Sequence, residues 1–318
     1  MIRLFYIKNE GGLTWEKNPV SLSPDNCEKI VWIDLQSSSK DEERLVERQF
    51  QIELFTPQEA AEIESSSRYF EDEDNIEANN AFIVYANKTY STDQVSFILK
   101  KGILFTLRDA DLKSFAWTVK KLKAFKPATA FSGIQVMLTI LESQIDLDAD
   151  FIEYVTRLTT EISKELTKEK SLKEDVLIRI AKLQENTILA RESIVDKQRL
   201  VSSLMKSKNI ADEEKGRLRI VIKDIGSILQ HTQFCFERLE YLQNTFLGLV
   251  NIEQNKVIKI FTVVTVIFMP PTLIASIYGM NFDFIPELKW KLGYPFSITL
   301  MLLSSLIFLW FFRKNKWL

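Results

Sequence analysis

The chain has one histidine, His231, and two cysteines, Cys27 and Cys235, in 318 residues. Two cysteines cannot build a disulfide framework, which points to a reducing compartment. A zinc centre is equally short of ligands. His231 and Cys235 stand four apart on one helical face, but such a site takes about four ligands and no others lie nearby in sequence. The pair is read as two packed helix residues. The sequence also lacks a Walker-type Gly-x-x-x-x-Gly-Lys-Ser/Thr run, a Gly-x-Ser-x-Gly elbow and a Gly-x-Gly-x-x-Gly fingerprint, so an enzyme is not expected. Excess charge of one sign is missing too: 41 basic against 43 acidic residues, net −2, gives no reason for a nucleic-acid partner. The start, MIRLFYIKNE, has no basic flank leading into an apolar core and a small-residue cleavage site. What precedes residue 250 is therefore expected to stay in the cytosol.

Long uncharged runs are present, and both lie near the C-terminus. Ile260–Met280 and Leu292–Phe312 are each 21 residues without a charge. Either is long enough to cross a hydrocarbon layer of about 30 Å at about 1.5 Å per residue. The connection, Asn281–Lys291, is short, so the two spans are expected to be antiparallel. Lys256 and Lys259 precede the first span, and Arg313, Lys314 and Lys316 follow the second, against Lys289 and Lys291 between them. That excess predicts cytosolic termini and an external loop. Trp290, Tyr294, Trp310 and Trp317 sit near the span ends, as interfacial anchors do.

The first span has a polar side. Thr265, Met269, Thr272, Ser276 and Gly279 recur at spacings of four and three, and the same face extends back through Phe261 and Ile258 to Asn255. Small polar residues in a membrane helix serve either close helix packing or a water-lined path. Pro270 and Pro271 interrupt the same span and free carbonyls that lipid cannot satisfy. Both readings of the face require further copies of the chain.

Ahead of the membrane, strand-like runs fall at Ile2–Ile7, Ile30–Leu35, Ala81–Tyr85, Val95–Leu99 and Ile103–Leu107, the last two joined by a Lys-Lys-Gly hairpin. Helical patterns intervene at Lys40–Gln51, Gln58–Ser65 and Leu112–Lys123. The expectation is an α/β domain over residues 1–125, bounded by AFKPATAFSG at 124–133. A helical stalk follows over 126–255, with breaks near 168–171 and 208–212, and then a transmembrane hairpin over 256–318. Asp212, with Glu213 and Glu214, suits a helix start, after which no stop signal appears before the first span. Such a helix would be roughly 100 Å long and would link the cytosolic domain mechanically to a pore. Glu71, Asp72, Glu73 and Asp74 form an acidic run. It reads as a solvated loop or as weak ligands for a divalent cation, low-affinity Mg²⁺ included.

Several motifs together resemble the CorA family of magnesium transporters. They are Tyr-Gly-Met-Asn-Phe at 278–282 with Pro-Glu-Leu at 286–288, Met-Pro-Pro-Thr-Leu at 269–273, Asn-Ile-Glu-Gln-Asn at 251–255, Ile-Lys-Ile-Phe at 258–261, and the basic RKNKWL tail. Trp-Ile-Asp-Leu at 32–35 and Arg-Tyr-Phe-Glu-Asp-Glu-Asp at 68–74 extend the resemblance, toward the proteobacterial branch. The resemblance implies a homopentameric funnel in the bacterial inner membrane, embedded in lipid and passing Mg²⁺, with Co²⁺ or Ni²⁺ as further ions. It implies a selectivity filter of Gly279, Met280 and Asn281. Asn255, Ile258, Phe261, Thr265, Met269, Thr272 and Ser276 would line the pore, Glu287 would attract cations at the outer loop, and cytosolic Mg²⁺ would close the channel. Ile285 departs from the Met common before Pro-Glu-Leu. Two alternatives stand beside this reading: a zinc or cobalt transporter of the same superfamily, and a membrane-anchored coiled-coil scaffold without a pore. No organic cofactor is expected.

Overall fold

The computed structural model describes residues 1–7, 13–19, 29–60, 68–73, 75–86, 89–124, 131–168, 174–281 and 285–315. It divides into two compact units, Met1–Gln243 and Asn244–Leu318. The first unit is built on a seven-stranded sheet. Its strands are β1 (Ile2–Ile7), β2 (Leu13–Lys17), β3 (Lys29–Gln36), β4 (Tyr69–Glu71), β5 (Asn75–Ala86), β6 (Thr89–Lys100) and β7 (Ile103–Arg108), in the spatial order β2-β1-β3-β7-β6-β5-β4. Among the described strands only the β3–β7 pair is parallel. The expected hairpin between β6 and β7 turns on Lys101 and Gly102, both with positive φ (50° and 79°), the two-residue geometry that matches strand twist.

Each face of the sheet carries a helical layer, because the strands alternate apolar side chains to both sides. Helix α1 (Lys40–Phe50) covers one face, where its Val46 joins Ile2, Leu4, Ile33, Leu35 and Phe105. Ser39 and Glu42 close its N-terminus as a reciprocal capping box. A short α2 (Pro57–Ala60) follows; the expected helix over 58–65 otherwise falls outside the described residues. The opposite face carries α3 (Lys113–Ala124), α4 (Gly133–Lys168) and α5 (Glu174–Lys206), with Trp32, Phe5, Phe82 and Phe97 packed toward Phe115 of α3. Helix α4 starts flush on the hairpin. A Cβ at Gly133 would lie 2.5 Å from the Leu104 nitrogen, and the Gly133 N–H donates to the Gly102 carbonyl at 2.7 Å.

A buried ion pair crosses the parallel strands. Arg108 donates from Nη2 to Asp34 Oδ2 at 2.9 Å and from Nε to Oδ1 at 3.1 Å, with both side chains fully buried. Thr106 donates to Asp34 Oδ1, Trp32 Nε1 donates to Thr106, and the guanidinium lies 4.2 Å from the Phe115 ring centre. This register is what the β3–β7 pairing provides, with Asp34 opposite Thr106 and Gln36 opposite Arg108.

The stalk helices turn apolar side chains inward. Leu138, Leu141, Ile145, Ile152 and Val155 of α4 are buried, as are Val176, Ile180, Leu183, Thr187, Ala190 and Ile194 of α5. Helix α6 runs from Asp212 to Tyr278, 67 residues, with Asp212 in its first turn rather than before it. Cys235 is buried beside Thr159 Oγ1, whereas His231 is exposed. The two residues thus sit in different environments rather than sharing a packed interior, and the described residues contain no group of three His, Cys, Asp or Glu able to hold a metal. Helix α7 (Gly293–Lys314) completes the second unit.

Candidate functional site

Helices α6 and α7 are both apolar and long enough to cross a membrane. Within the second unit, the covered residues of α6 gather on one side. Val263 is buried, and Val266, Ile267, Pro270, Pro271, Ile274 and Tyr278 are partly covered. At about 100° per residue these positions fall within an arc of about 140°. The predicted stripe, Ile258, Phe261, Thr265, Met269, Thr272, Ser276 and Gly279, is exposed throughout and falls within about 80° on the opposite side. Asn255 lies about 40° past its near edge and is exposed too. From Ile258 to Gly279 the stripe is about 32 Å long, the thickness of a hydrocarbon layer. One chain therefore brings these residues into a line but leaves them uncovered.

The polarity of that line is modest. The hydroxyls of Thr265 and Thr272 donate back to the carbonyls of Phe261 and Phe268 at 2.9 and 2.8 Å, four residues earlier. Their donors are satisfied inside the helix, which leaves oxygen lone pairs and methyl groups on the surface. Phe261 and Met269, 69% and 61% exposed, are the bulky apolar members of the same line.

One of the two prolines, Pro271, has a local compensation that spacing did not reveal. Proline has no N–H, so Pro271 leaves the carbonyl of Ile267 without its helical donor, and Pro270 does the same to Val266. Ser305 Oγ of α7 donates to the Ile267 carbonyl at 3.3 Å. The Val266 carbonyl has no side-chain donor among the described residues. Ser305 is detectable in the sequence only as a small polar residue inside an apolar run; its partner follows from the antiparallel register.

Helix α6 ends at the Gly-Met-Asn segment. The Gly279 N–H donates to the Ala275 carbonyl at 2.9 Å, and a Cβ on Gly279 would lie 3.1 Å from that oxygen. Met280 and Asn281 follow with exposed side chains. Residues 282–284 lie outside the described set, so Phe282 of the sequence motif does as well. The loop resumes with a single 3-10 turn over Pro286–Lys289. That turn is folded onto the start of α7: a Cβ at Gly293 would sit 2.2 Å from the Glu287 carbonyl, so the position has room only for glycine. Trp290 packs edge-on against Phe296, with ring centres 6.2 Å apart. Gly293 was not singled out from the sequence, although a glycine opening an apolar run was the available signal. Glu287 has a partly covered side chain.

The acidic run lies in the first unit. Glu71 belongs to β4 and is already engaged: Tyr69 donates to its Oε2 at 2.9 Å and Ser207 to its Oε1 at 2.5 Å. Burial, reinforced by Glu71, raises the Tyr69 hydroxyl above the usual phenol range. Asp72 accepts from the Glu73 backbone N–H at 2.7 Å, and its carbonyl accepts from Asn209 at 2.8 Å. Asp74 lies outside the described residues. The run is thus a strand end and turn tied to the residues between α5 and α6.

The family model described as CorA-like Mg²⁺ transporter protein matches residues 28–314. The magnesium transport protein CorA of Wolinella succinogenes is 37% identical over 318 residues, covering 98% of this chain and 99% of its own. The protein of the same name from Helicobacter pylori is 33% identical over 292 residues, 91% of each chain. The complete structure of the CorA magnesium transporter from Methanocaldococcus jannaschii superposes with a TM-score of 0.82 at 20% identity, over 100% of this chain and 99% of that one. At that identity the superposition speaks for the fold.

Proposed function

This chain belongs to the CorA-like Mg²⁺ transporter family, and on that premise we propose that it passes hydrated Mg²⁺ along the exposed face of α6. Family membership makes it a membrane transporter rather than an enzyme or a pore-less scaffold. The observation that carries the finer reading is the division of α6: the face turned from α7 holds Thr265, Met269, Thr272, Ser276 and Gly279 in one line. A line of small, weakly polar side chains left uncovered over the length of the hydrocarbon layer packs less well against lipid than against another helix, a modest cost. Copies of the chain arranged about an axis remove that cost by turning the line inward, and a homopentamer is the assembly proposed.

Mg²⁺ dehydrates reluctantly, so a mouth that binds its water is better suited than one that strips it. A ring of Asn281 carboxamides accepts hydrogen bonds from the ion's waters, beside backbone carbonyls of the Gly279–Met280 segment. Neutral amides also avoid the tight trapping that a carboxylate ring would impose, and conduction needs release as well as capture. Glu287, beyond the mouth, raises the local cation concentration. Phe261 and Met269 then form apolar rings that empty of water when narrowed. A negative-inside potential supplies about 4.6 kcal/mol per 100 mV for a doubly charged ion. The basic-residue excess at the span ends favours an inner-membrane protein with both termini cytosolic. Mg²⁺ shared between Glu71, Asp72, Glu73 or Asp74 and a second chain would be the closing signal, and the same path would admit Co²⁺ or Ni²⁺.

The test is Mg²⁺ entry into proteoliposomes with Asn281→Ala. Entry is expected to drop to that of protein-free vesicles while the assembly keeps its size. A correctly assembled variant that transports at near the parent rate removes Asn281 from the filter.

A further inference from the structure

We infer that a cleft between α5 and the β4–β5 edge of the sheet binds a small phosphate-bearing anion. The cleft has a volume of about 410 Å³, and its walls include Arg68, Tyr69, Asn79, Arg199, Ser203 and Lys206. Three cations face one carboxylate, Asp196, which is already held by Arg68 at 2.5 Å and by the Ala81 N–H at 2.9 Å. Arg199 and Lys206 are exposed, and neither has an ion-pair partner among the described residues. They lie seven residues apart on α5 with Ser203 between them, so all three project from one helical face.

The second observation is Asn79. The residue is 1% exposed, yet neither its side-chain amide nitrogen nor its side-chain oxygen has a hydrogen-bond partner among the described residues. Buried amides are normally paired, and an unpaired one lining a cationic cleft points to a missing ligand. The donor set is a guanidinium fork, an ammonium, a hydroxyl and an amide N–H. It suits a tetrahedral oxyanion with several acceptors and repels a metal cation. The depth of Asn79 restricts the ligand to a small molecule. Tyr69 connects the cleft to the acidic turn, because the same side chain donates to Glu71. Occupancy would therefore be felt at the carboxylates of that turn.

The experiment is calorimetric titration of the full-length protein in lipid nanodiscs with orthophosphate and, separately, with ATP, at fixed free Mg²⁺ and fixed ionic strength. Saturable binding is expected for at least one anion. Tighter binding of ATP identifies a nucleotide-type ligand, and equal or tighter binding of orthophosphate identifies the simple ion. Arg199→Ala and Lys206→Ala should each weaken binding by about tenfold, the value of one charge-assisted contact. Arg191→Ala, on the same helix but bonded to Gln233, should leave it unchanged. Absence of saturation at concentrations on the order of 10 mM overturns the proposal. So does binding that survives both cleft substitutions. Loss of the assembly in those variants, with no anion binding by the parent, would also overturn it and give the cations to a neighbouring copy.

Discussion

The two units solve the problem of polar groups in apolar surroundings in opposite ways. In the first, an ion pair is buried and matched: Arg108, Asp34, Thr106 and Trp32 form one connected set inside the sheet layer. In the second, apolar side chains lie outside, and beyond Asn255 the buried ones among the described residues are Val263 and Phe312. Its polar side chains are bonded back to their own helix, as in Thr265 and Thr272, bonded to the neighbouring helix, as in Ser305, or aligned on the uncovered face. The first unit encloses an apolar core within one chain. The second leaves most of its apolar side chains uncovered within one chain.

Breaking the matched set should have the largest effect. Arg108→Ala leaves the Asp34 carboxylate buried with its main partner gone, which costs about 3–5 kcal/mol. Thermal unfolding of the purified protein should shift down by roughly 10 °C, and a shift under about 2 °C would mean that the pair contributes little. In the second unit the expected effect is on gating rather than stability. Phe261→Gly or Met269→Gly widens a proposed apolar ring, so Mg²⁺ flux should persist at internal concentrations that silence the parent. Full inhibition of both variants would place the gate elsewhere. The smallest effect belongs to Ser305. Ser305→Ala removes a hydroxyl from the carbonyl that Pro271 frees, a loss of about 1 kcal/mol, and Ser305→Thr should restore it. If the alanine and threonine variants unfold at the same temperature, that hydrogen bond does not matter.

Much of this division was legible beforehand, for physical reasons that can be named. The two spans are legible because 21 uncharged residues have few other fates. Strands β1, β3 and β7 are apolar runs of ordinary length. The long β5–β6 hairpin was only half visible. The Asn75–Asn80 end of β5 carries a glutamate and three asparagines, yet it pairs in register with Lys100–Val95. Asn79 and Asn80 are buried there, against their usual preference. Strand β2 is short, with Trp15 and Glu16 exposed at the sheet edge, so it shows no clean alternation. Glu71, the first residue of the run read as a solvated loop or as weak cation ligands, pairs in β4 with Ile76. For the membrane stripe, spacing identified a face but not what covers the opposite one. That required the placement of α7, and so did the partnership of Ser305 with Ile267.

The central claim is that the α6 face turned from α7 lines the Mg²⁺ path. It is tested most directly by placing single cysteines on that face, Thr265→Cys, Met269→Cys and Thr272→Cys, and on exposed α7 positions, Leu302→Cys and Leu306→Cys. The background is a transport-competent variant with Cys27 and Cys235 replaced by serine. Mg²⁺ entry into proteoliposomes is measured before and after a charged, membrane-impermeant thiol reagent. The account predicts block at the α6 positions and unchanged entry at the α7 positions. Block at Leu302 and Leu306, with transport intact after reagent treatment of all three α6 variants, would contradict it.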